Sequence, residues 1–285
     1  MITVRLLAGA VALGAVLAAR AADPAPAAPE TVVVHCADLA LRARLYRPQG
    51  RGPFPAILFN HGSGHSAGAA AGDQRHPQLL GPVFVRHGYL FLYLYRRGDG
   101  LSVGQGVASG DVMDQAFASG GQQARNQVQL RLLEEELDDA AAGLTYLRAR
   151  SDVDAKRLAV VGHSFGGSLS LLLAERDPSV RAVATFAAVG YSWEHSQALR
   201  ARLTTAVSRM AAAALFLDAE NDYSLRPSRE LGAQMQHLGK VQQVIVYPPV
   251  GTTAAEGHDL IHLRIASWEP DLFAFLDQVL RPLPR

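Results

Sequence analysis

The sequence predicts an α/β fold, a central and mostly parallel sheet of about eight strands with helices on both faces. Three observations point there. Apolar or β-branched runs of strand length recur at 56–59, 89–95, 158–161, 180–186, 213–217 and 241–247, separated by helix-length amphipathic stretches. Several of these runs are apolar at consecutive rather than alternate positions, as expected of strands covered on both faces. A serine flanked by glycines, Gly162-His163-Ser164-Phe165-Gly166, follows one run directly and opens an apolar helix.

The 285 residues are 49% apolar and 19% charged, which supplies a large core and excludes a disordered, solvating chain. A net charge of +1 with no run of Lys or Arg gives no footprint for nucleic acid. Residues 1–5 carry one positive charge, 6–18 are apolar, and Ala19-Arg20-Ala21 offers a small-x-small cleavage site. This pattern predicts a secretion signal over 1–21 and export to the periplasm or beyond. An apolar run of about 13 residues is short of the roughly 20 that cross a bilayer, so no membrane partner is expected of the mature chain. Residues 22–30, rich in Pro and Ala, read as a flexible spacer, and 31–285 as one folded domain.

Within that domain, 32–46 holds short strand-like runs with no helix between them, the pattern of an antiparallel meander leading into the parallel part. Cys36, the only cysteine, lies in one of these runs and reads as a small buried hydrophobe. Further on, Leu130, Leu133, Leu137, Ala141, Leu144 and Leu147 recur at steps of three and four. They share one helical face, with Glu134, Glu135, Asp138 and Asp139 expected to point elsewhere. Two stretches break the alternation: 101–125, rich in Gly, Ser and Gln, and 189–209, which carries Tyr191, Trp193 and His195. Both read as insertions over one edge of the sheet, which either cover a site or add surface.

The order strand, sharp turn, helix around Ser164 is what a nucleophile elbow requires. Such a turn strains the serine backbone by about 1 to 3 kcal/mol and brings neighbouring chain too close for a Cβ. Gly162 and Gly166 meet that need, with His163 completing the elbow. A serine hydroxyl needs a base beside it and a third group to orient the base. With this elbow the acid and then the histidine follow in the chain. Asp222 lies in the loop after strand 213–217, with Asp218 and Glu220 as rivals; Asp218 stands so near the strand end that it is better placed to brace the loop. His258 lies on the loop after the last strand, while His237 and His262 read as ordinary packing or surface histidines. An oxyanion would be held by the backbone N–H of Phe165 and that of Ser63, in Asn60-His61-Gly62-Ser63-Gly64 after strand 56–59.

His258 and His262 also have the i, i+4 spacing of a zinc helix, repeated by His61 and His65. A metalloprotease helix needs Glu where Asp259 stands, so no metal site is expected.

Taken together, NHGSG at 60–64, RRG at 96–98, GHSFGG at 162–167, Asp222 and Gly257-His258 resemble the dienelactone hydrolase and prolyl-oligopeptidase-like branch of the α/β-hydrolases. The resemblance spans about 31–280 and implies an α/β-hydrolase fold. It implies Ser164, Asp222 and His258 as a catalytic triad, with Ser63 and Phe165 at the oxyanion hole. Dienelactone hydrolases proper use a cysteine nucleophile, whereas Ser164 holds the elbow here, which argues against a lactone substrate. The expected function is hydrolysis of a small-molecule carboxylic ester through an acyl-enzyme on Ser164, without a cofactor. A peptidase or amidase of the same fold is the alternative, and a non-catalytic binding protein the third reading.

Overall fold

The computed structural model describes residues 28–64 and 75–280. The expected signal at 1–21 and residues 22–27 of the spacer lie outside the described residues. Strands β1 (Glu30–Cys36) and β2 (Leu39–Tyr46) pair antiparallel through a two-residue turn that holds Ala37 at a φ of 48°. They are followed by β3 (Phe54–Asn60), β4 (Leu90–Leu94), β5 (Val153–His163), β6 (Val180–Phe186), β7 (Ala213–Ala219) and β8 (Gln242–Tyr247). All eight form one sheet in the order β1-β2-β4-β3-β5-β6-β7-β8. β2 joins β4 antiparallel and every pairing from β4 to β8 is parallel. The meander and the parallel sheet are both as expected.

The helices are α1 (Arg75–Arg86), α2 (Ser109–Arg148), α3 (Phe165–Arg176), α4 (Gly190–Trp193), α5 (Gln197–Arg209), α6 (Arg226–His237), α7 (Ala254–His258), α8 (Leu260–Leu263) and α9 (Ile265–Val279). Strand side chains alternate between faces, and this divides the core in two. Leu90, Leu92 and Leu94 pack with α2, α3 and α5 on one face. Phe91 and Tyr93 pack with α1 and α9 on the other, around Phe84 and the fully buried Trp268. The paired cores of β3 to β7 are thus dry on both faces, which is why those runs read as continuously apolar, while β8 at the sheet edge leaves Gln243 and Val246 exposed. No described helix is long and apolar enough to cross a membrane.

Three local expectations are corrected. The stretch 189–209 is no edge insertion: α5 is the crossover helix between β6 and β7, capped by the Ser196 hydroxyl on the Leu199 N–H. Most of 101–125 is also helical, forming the first part of α2 after a short 3-10 turn at Gly100–Ser102. α2 is broken at Gly120 and Gly121, where Gly121 takes a φ of 64° that suits a residue without a Cβ. On the second limb of α2, Leu133, Leu137, Leu144 and Leu147 are buried as the periodicity predicts. Asp139, expected to face away, is fully buried instead, because Arg97 reaches in to bond both its oxygens.

Candidate active site

β5 ends at His163 and α3 begins at Phe165, so Ser164 alone makes the turn. Its φ of 53° and ψ of −119° are a strained pairing for a residue with a Cβ. The strain is held in place by packing. A Cβ on Gly162 would stand 2.2 Å from the Gly166 carbonyl oxygen, and one on Gly166 would stand 2.0 Å from that of Asn60. Neither backbone atom can yield, so both glycines are required. The Ser164 N–H donates to the Phe186 carbonyl at 2.9 Å, tying the elbow to β6.

The Ser164 hydroxyl lies 2.8 Å from His258 Nε2, and His258 Nδ1 lies 2.8 Å from Asp222 Oδ1. The same carboxylate oxygen accepts the Tyr223 N–H at 2.6 Å. The sequence-predicted serine, acid and base therefore meet at the carboxyl ends of β5, β7 and β8. Several further side chains hold them there. The Asn221 amide donates to the Val250 and Thr253 carbonyls, both at 2.8 Å, and accepts the Val250 N–H at 2.9 Å, clamping the β7 loop to the β8 loop. Thr253 and Glu256 form a reciprocal capping box at the start of α7, the helix that ends in His258. His163 donates from Nε2 to the His258 carbonyl at 2.8 Å. Burial, with the nearby His258 and His262 rings, pushes the His163 pKa well below its ordinary range, so the ring is neutral.

The loop after β3 is fixed by a buried ion pair. Arg96, 1% exposed, pairs with the equally buried Glu136 of α2. Its Nη2 donates to the carbonyls of His61 at 2.9 Å and Gly62 at 2.8 Å. In a planar trans peptide the carbonyl and the following N–H point in opposite directions. Pinning the Gly62 oxygen to Arg96 therefore turns the Ser63 N–H the other way. A Cβ on Gly62 would come within 3.7 Å of the Ser164 Cβ, so this loop runs beside Ser164. Phe165, the other expected donor, opens α3, and N–H groups in the first turn of a helix have no partner within that helix.

Two cavities meet at Ser164, each bordered by Ser63 and His258. One of about 360 Å³ is lined by His61, Tyr93, Tyr95, Asp99 and His262. The other, of about 260 Å³, is lined by Met113, Arg125, Gln129, Phe165, Tyr191 and Tyr223. A substrate that straddles the hydroxyl has room on both sides.

The sequence matches the X-Pro dipeptidyl-peptidase (S15) family over residues 38–247. The chain belongs to this family. Among curated proteins none matches it. Solved structures share its α/β-hydrolase fold at low identity. An acylaminoacyl peptidase of Pyrococcus horikoshii is 16% identical with a TM-score of 0.64, over 90% of this chain and 42% of that one. A dienelactone hydrolase of Anabaena variabilis is 16% identical with a TM-score of 0.61, over 90% of this chain and 100% of that one. An esterase of Pyrococcus furiosus is 14% identical with a TM-score of 0.62, over 88% of this chain and 93% of that one. The present chain thus spans less than half the length of the acylaminoacyl peptidase. The acylaminoacyl peptidase and dienelactone hydrolase structures agree with the resemblance read from the motifs.

The rival residues fall elsewhere in this S15 family chain. Asp218 is buried in β7, and burial pushes its carboxyl up to about 7, opposed by a hydrogen bond from Ser228. Glu220 is exposed, and His237 closes α6. His258 and His262 are not successive turns of one helix: α7 ends at His258, and His262 lies on α8 beyond Asp259. His65 lies outside the described residues. His163, Asp259 and His262 do place metal-type donor atoms within 4.8 Å of one another. His163 Nε2 bonds the His258 carbonyl and His262 Nδ1 bonds Asp259, while His262 Nε2 is buried without a partner among the described residues. Cys36 is buried at the end of β1, where burial and the Asp139 charge push its thiol up to about 11, which suits the inert strand residue expected. Sequence reasoning missed Asn221 and the Arg96–Glu136 pair. Thr253-x-x-Glu256 carries a capping-box signature that could have been read in advance.

His61 supplies a pH test. Its Nδ1–H donates to the Gly62 carbonyl at 2.8 Å and its Nε2 accepts the Arg96 N–H at 3.2 Å, an arrangement only the neutral ring can make. Burial first, then the Arg96 charge, holds its pKa down at about 4, although Asp99 lies 3.2 Å from Nε2. Because the folded pKa lies below the unfolded value, this stability is present above about pH 6.5 and is lost as pH falls toward 4. By linkage the wild type should lose about 2 kcal/mol more than His61→Gln between about pH 7 and about pH 5. Urea denaturation at the two pH values checks this, and parallel losses in both proteins would contradict it.

Proposed function

We propose that this chain is a serine hydrolase that cleaves small-molecule carboxylic esters through an acyl-enzyme on Ser164. The observation that carries the reading is the continuous line from the strained Ser164 through His258 to Asp222, with both bonds at 2.8 Å. In this mechanism His258 Nε2 takes the hydroxyl proton as Ser164 Oγ attacks the ester carbonyl carbon. Asp222, bonded to Nδ1, stabilises the imidazolium and keeps its tautomer correct. The N–H groups of Phe165 and Ser63 receive the oxyanion, each worth about 2.7 to 4 kcal/mol in such a site. Collapse breaks the bond to the alcohol, which leaves with the proton from His258. Water then gives a proton to His258 and its oxygen to the acyl carbon; the bond from that carbon to Ser164 Oγ breaks, Oγ takes the proton back from His258, and the carboxylic acid leaves.

The family match supports a second reading, a serine peptidase or amidase, in which the same steps expel an amine. Leaving-group chemistry separates the two. A fluorophosphonate probe should label the wild type and leave Ser164→Ala unlabelled; labelling of both would remove Ser164 as the nucleophile, and labelling of neither would favour a non-catalytic binding protein. The wild type should turn over p-nitrophenyl esters and release no measurable p-nitroaniline from the matching p-nitroanilides, whereas sustained anilide turnover would favour the peptidase.

We also propose that the mature protein is exported, on the strength of residues 1–21. Mass spectrometry of the chain recovered from the periplasm or medium of a bacterial host should find Ala22 at its N-terminus. A chain that keeps Met1 and stays in the cytoplasm would contradict this.

A further inference from the structure

Two polar side chains beside Ser164 have no part in the reaction described above. The break at Gly120 and Gly121 sets the direction of the second limb of α2. On that limb Arg125 and Gln129 are one turn apart, so they share a helix face. Both line the cavity of about 260 Å³ that also holds Ser164 and His258. Gln129 is 4% exposed, yet its side-chain oxygen has no hydrogen-bond partner among the described residues. The oxygen and nitrogen of such an amide are interchangeable by rotation, so either can face a ligand. No hydrogen bond to the described residues holds the amide, so its nitrogen is available to donate to what binds in the cavity.

Among the described residues, Arg125 is a cation without a matching acid. Its guanidinium touches the Ser192 hydroxyl at 3.4 Å and lies over the Tyr191 ring at 5.6 Å. The acids nearby are committed elsewhere. Asp222 holds His258, and Glu194, just past α4, accepts from Ser224 and Arg226. Lower on the same helix the situation is reversed, since Glu136 and Asp139 are each matched to an arginine. The remaining walls, Met113, Phe165, Val189 and Tyr223, offer apolar and aromatic surface suited to a short carbon chain.

We infer that this cavity recognises a carboxylate on the substrate, with Arg125 and the amide nitrogen of Gln129 donating to its oxygens. This rests on the ester-hydrolase reading and narrows it to esters that carry an acid group a few carbons from the scissile carbonyl. A charge-assisted pair in a half-enclosed site is stronger than a neutral hydrogen bond. A substrate ammonium in the same place would meet an unbalanced cation and be disfavoured.

Two p-nitrophenyl esters of equal length test this: the hemiester of glutaric acid, and its isostere in which the free carboxylate is a primary amide. The wild type should show kcat/KM about tenfold higher for the carboxylate ester. Arg125→Met should bring the ratio to about one, and Arg125→Lys should restore part of it. A wild-type ratio near one, or a preference that survives Arg125→Met, overturns the inference while leaving the Ser164 chemistry intact. Calorimetric titration with glutaric acid monoamide reads the same contact without turnover. Binding to the wild type that is lost in Arg125→Met supports the assignment even if no ester is cleaved. Equal binding to both proteins, or binding to neither, overturns it.

Discussion

The ring of His258 is bonded on one side to Ser164 and on the other to Asp222, and this double engagement fixes the spacing of three loops that leave the sheet at different strands. Because β5, β7 and β8 are parallel, their carboxyl ends lie along one rim, and the loops need only short spans to meet there. Productive geometry demands positions held to within about half an ångström. The surrounding chain supplies that precision from several directions. The Asn221 amide joins the two outer loops, the capping box sets the helix that ends in His258, and the His163 ring bonds the His258 carbonyl. Small residues then close the space. A Cβ on Gly257 would stand 2.7 Å from the Asn221 backbone, and one on Gly190 would stand 3.2 Å from Asp222 Oδ1.

The oxyanion side depends on a different kind of interaction. Burying Arg96 and Glu136 takes two charges out of water, a cost of several kcal/mol per ion that is recovered only with good geometry and further hydrogen bonds. Here the further bonds go to the carbonyls of His61 and Gly62, and the guanidinium also lies 5.6 Å from the centre of the Phe165 ring. One buried cation thus touches both segments expected to supply the oxyanion donors. Glu136 belongs to α2, the helix whose upper part carries Arg125 and Gln129 toward the smaller cavity. The same helix therefore braces the catalytic loop through its lower half and shapes the substrate space through its upper half.

How much of this was legible in the sequence follows from how local each signal is. The six apolar runs became β3 to β8: β3 to β7 are apolar because both their faces are buried, while β8 is an edge strand with Gln243 and Val246 exposed. Ser164, Asp222 and His258 were readable because each is tied to a strand end and the fold dictates their order. The segment containing α5 was misread as an insertion, although Leu199, Leu203, Ala206 and Val207 keep a helical spacing and are all buried. The glycine-rich start of α2 concealed a helix because Gly and Ser weigh against helix locally while tertiary packing overrides them. Asp139 could not be assigned from periodicity, since a buried carboxylate is explained only by Arg97, a partner 42 residues away in the chain. Asn221 failed to stand out for the same reason: its partners lie about 30 residues downstream on another loop.

The central claim is that Asp222, and not its buried neighbour Asp218, orients and charges the His258 ring. Single-turnover acylation of a p-nitrophenyl ester by Asp222→Asn and Asp218→Asn tests this most directly. Asp222→Asn should slow the step by about 10⁴-fold, since an amide favours the wrong imidazole tautomer. Asp218→Asn should stay within about tenfold of the wild type, because the His258 Nδ1 bond goes to Asp222 and not to Asp218. Comparable losses in the two variants, or the larger loss in Asp218→Asn, would contradict the account.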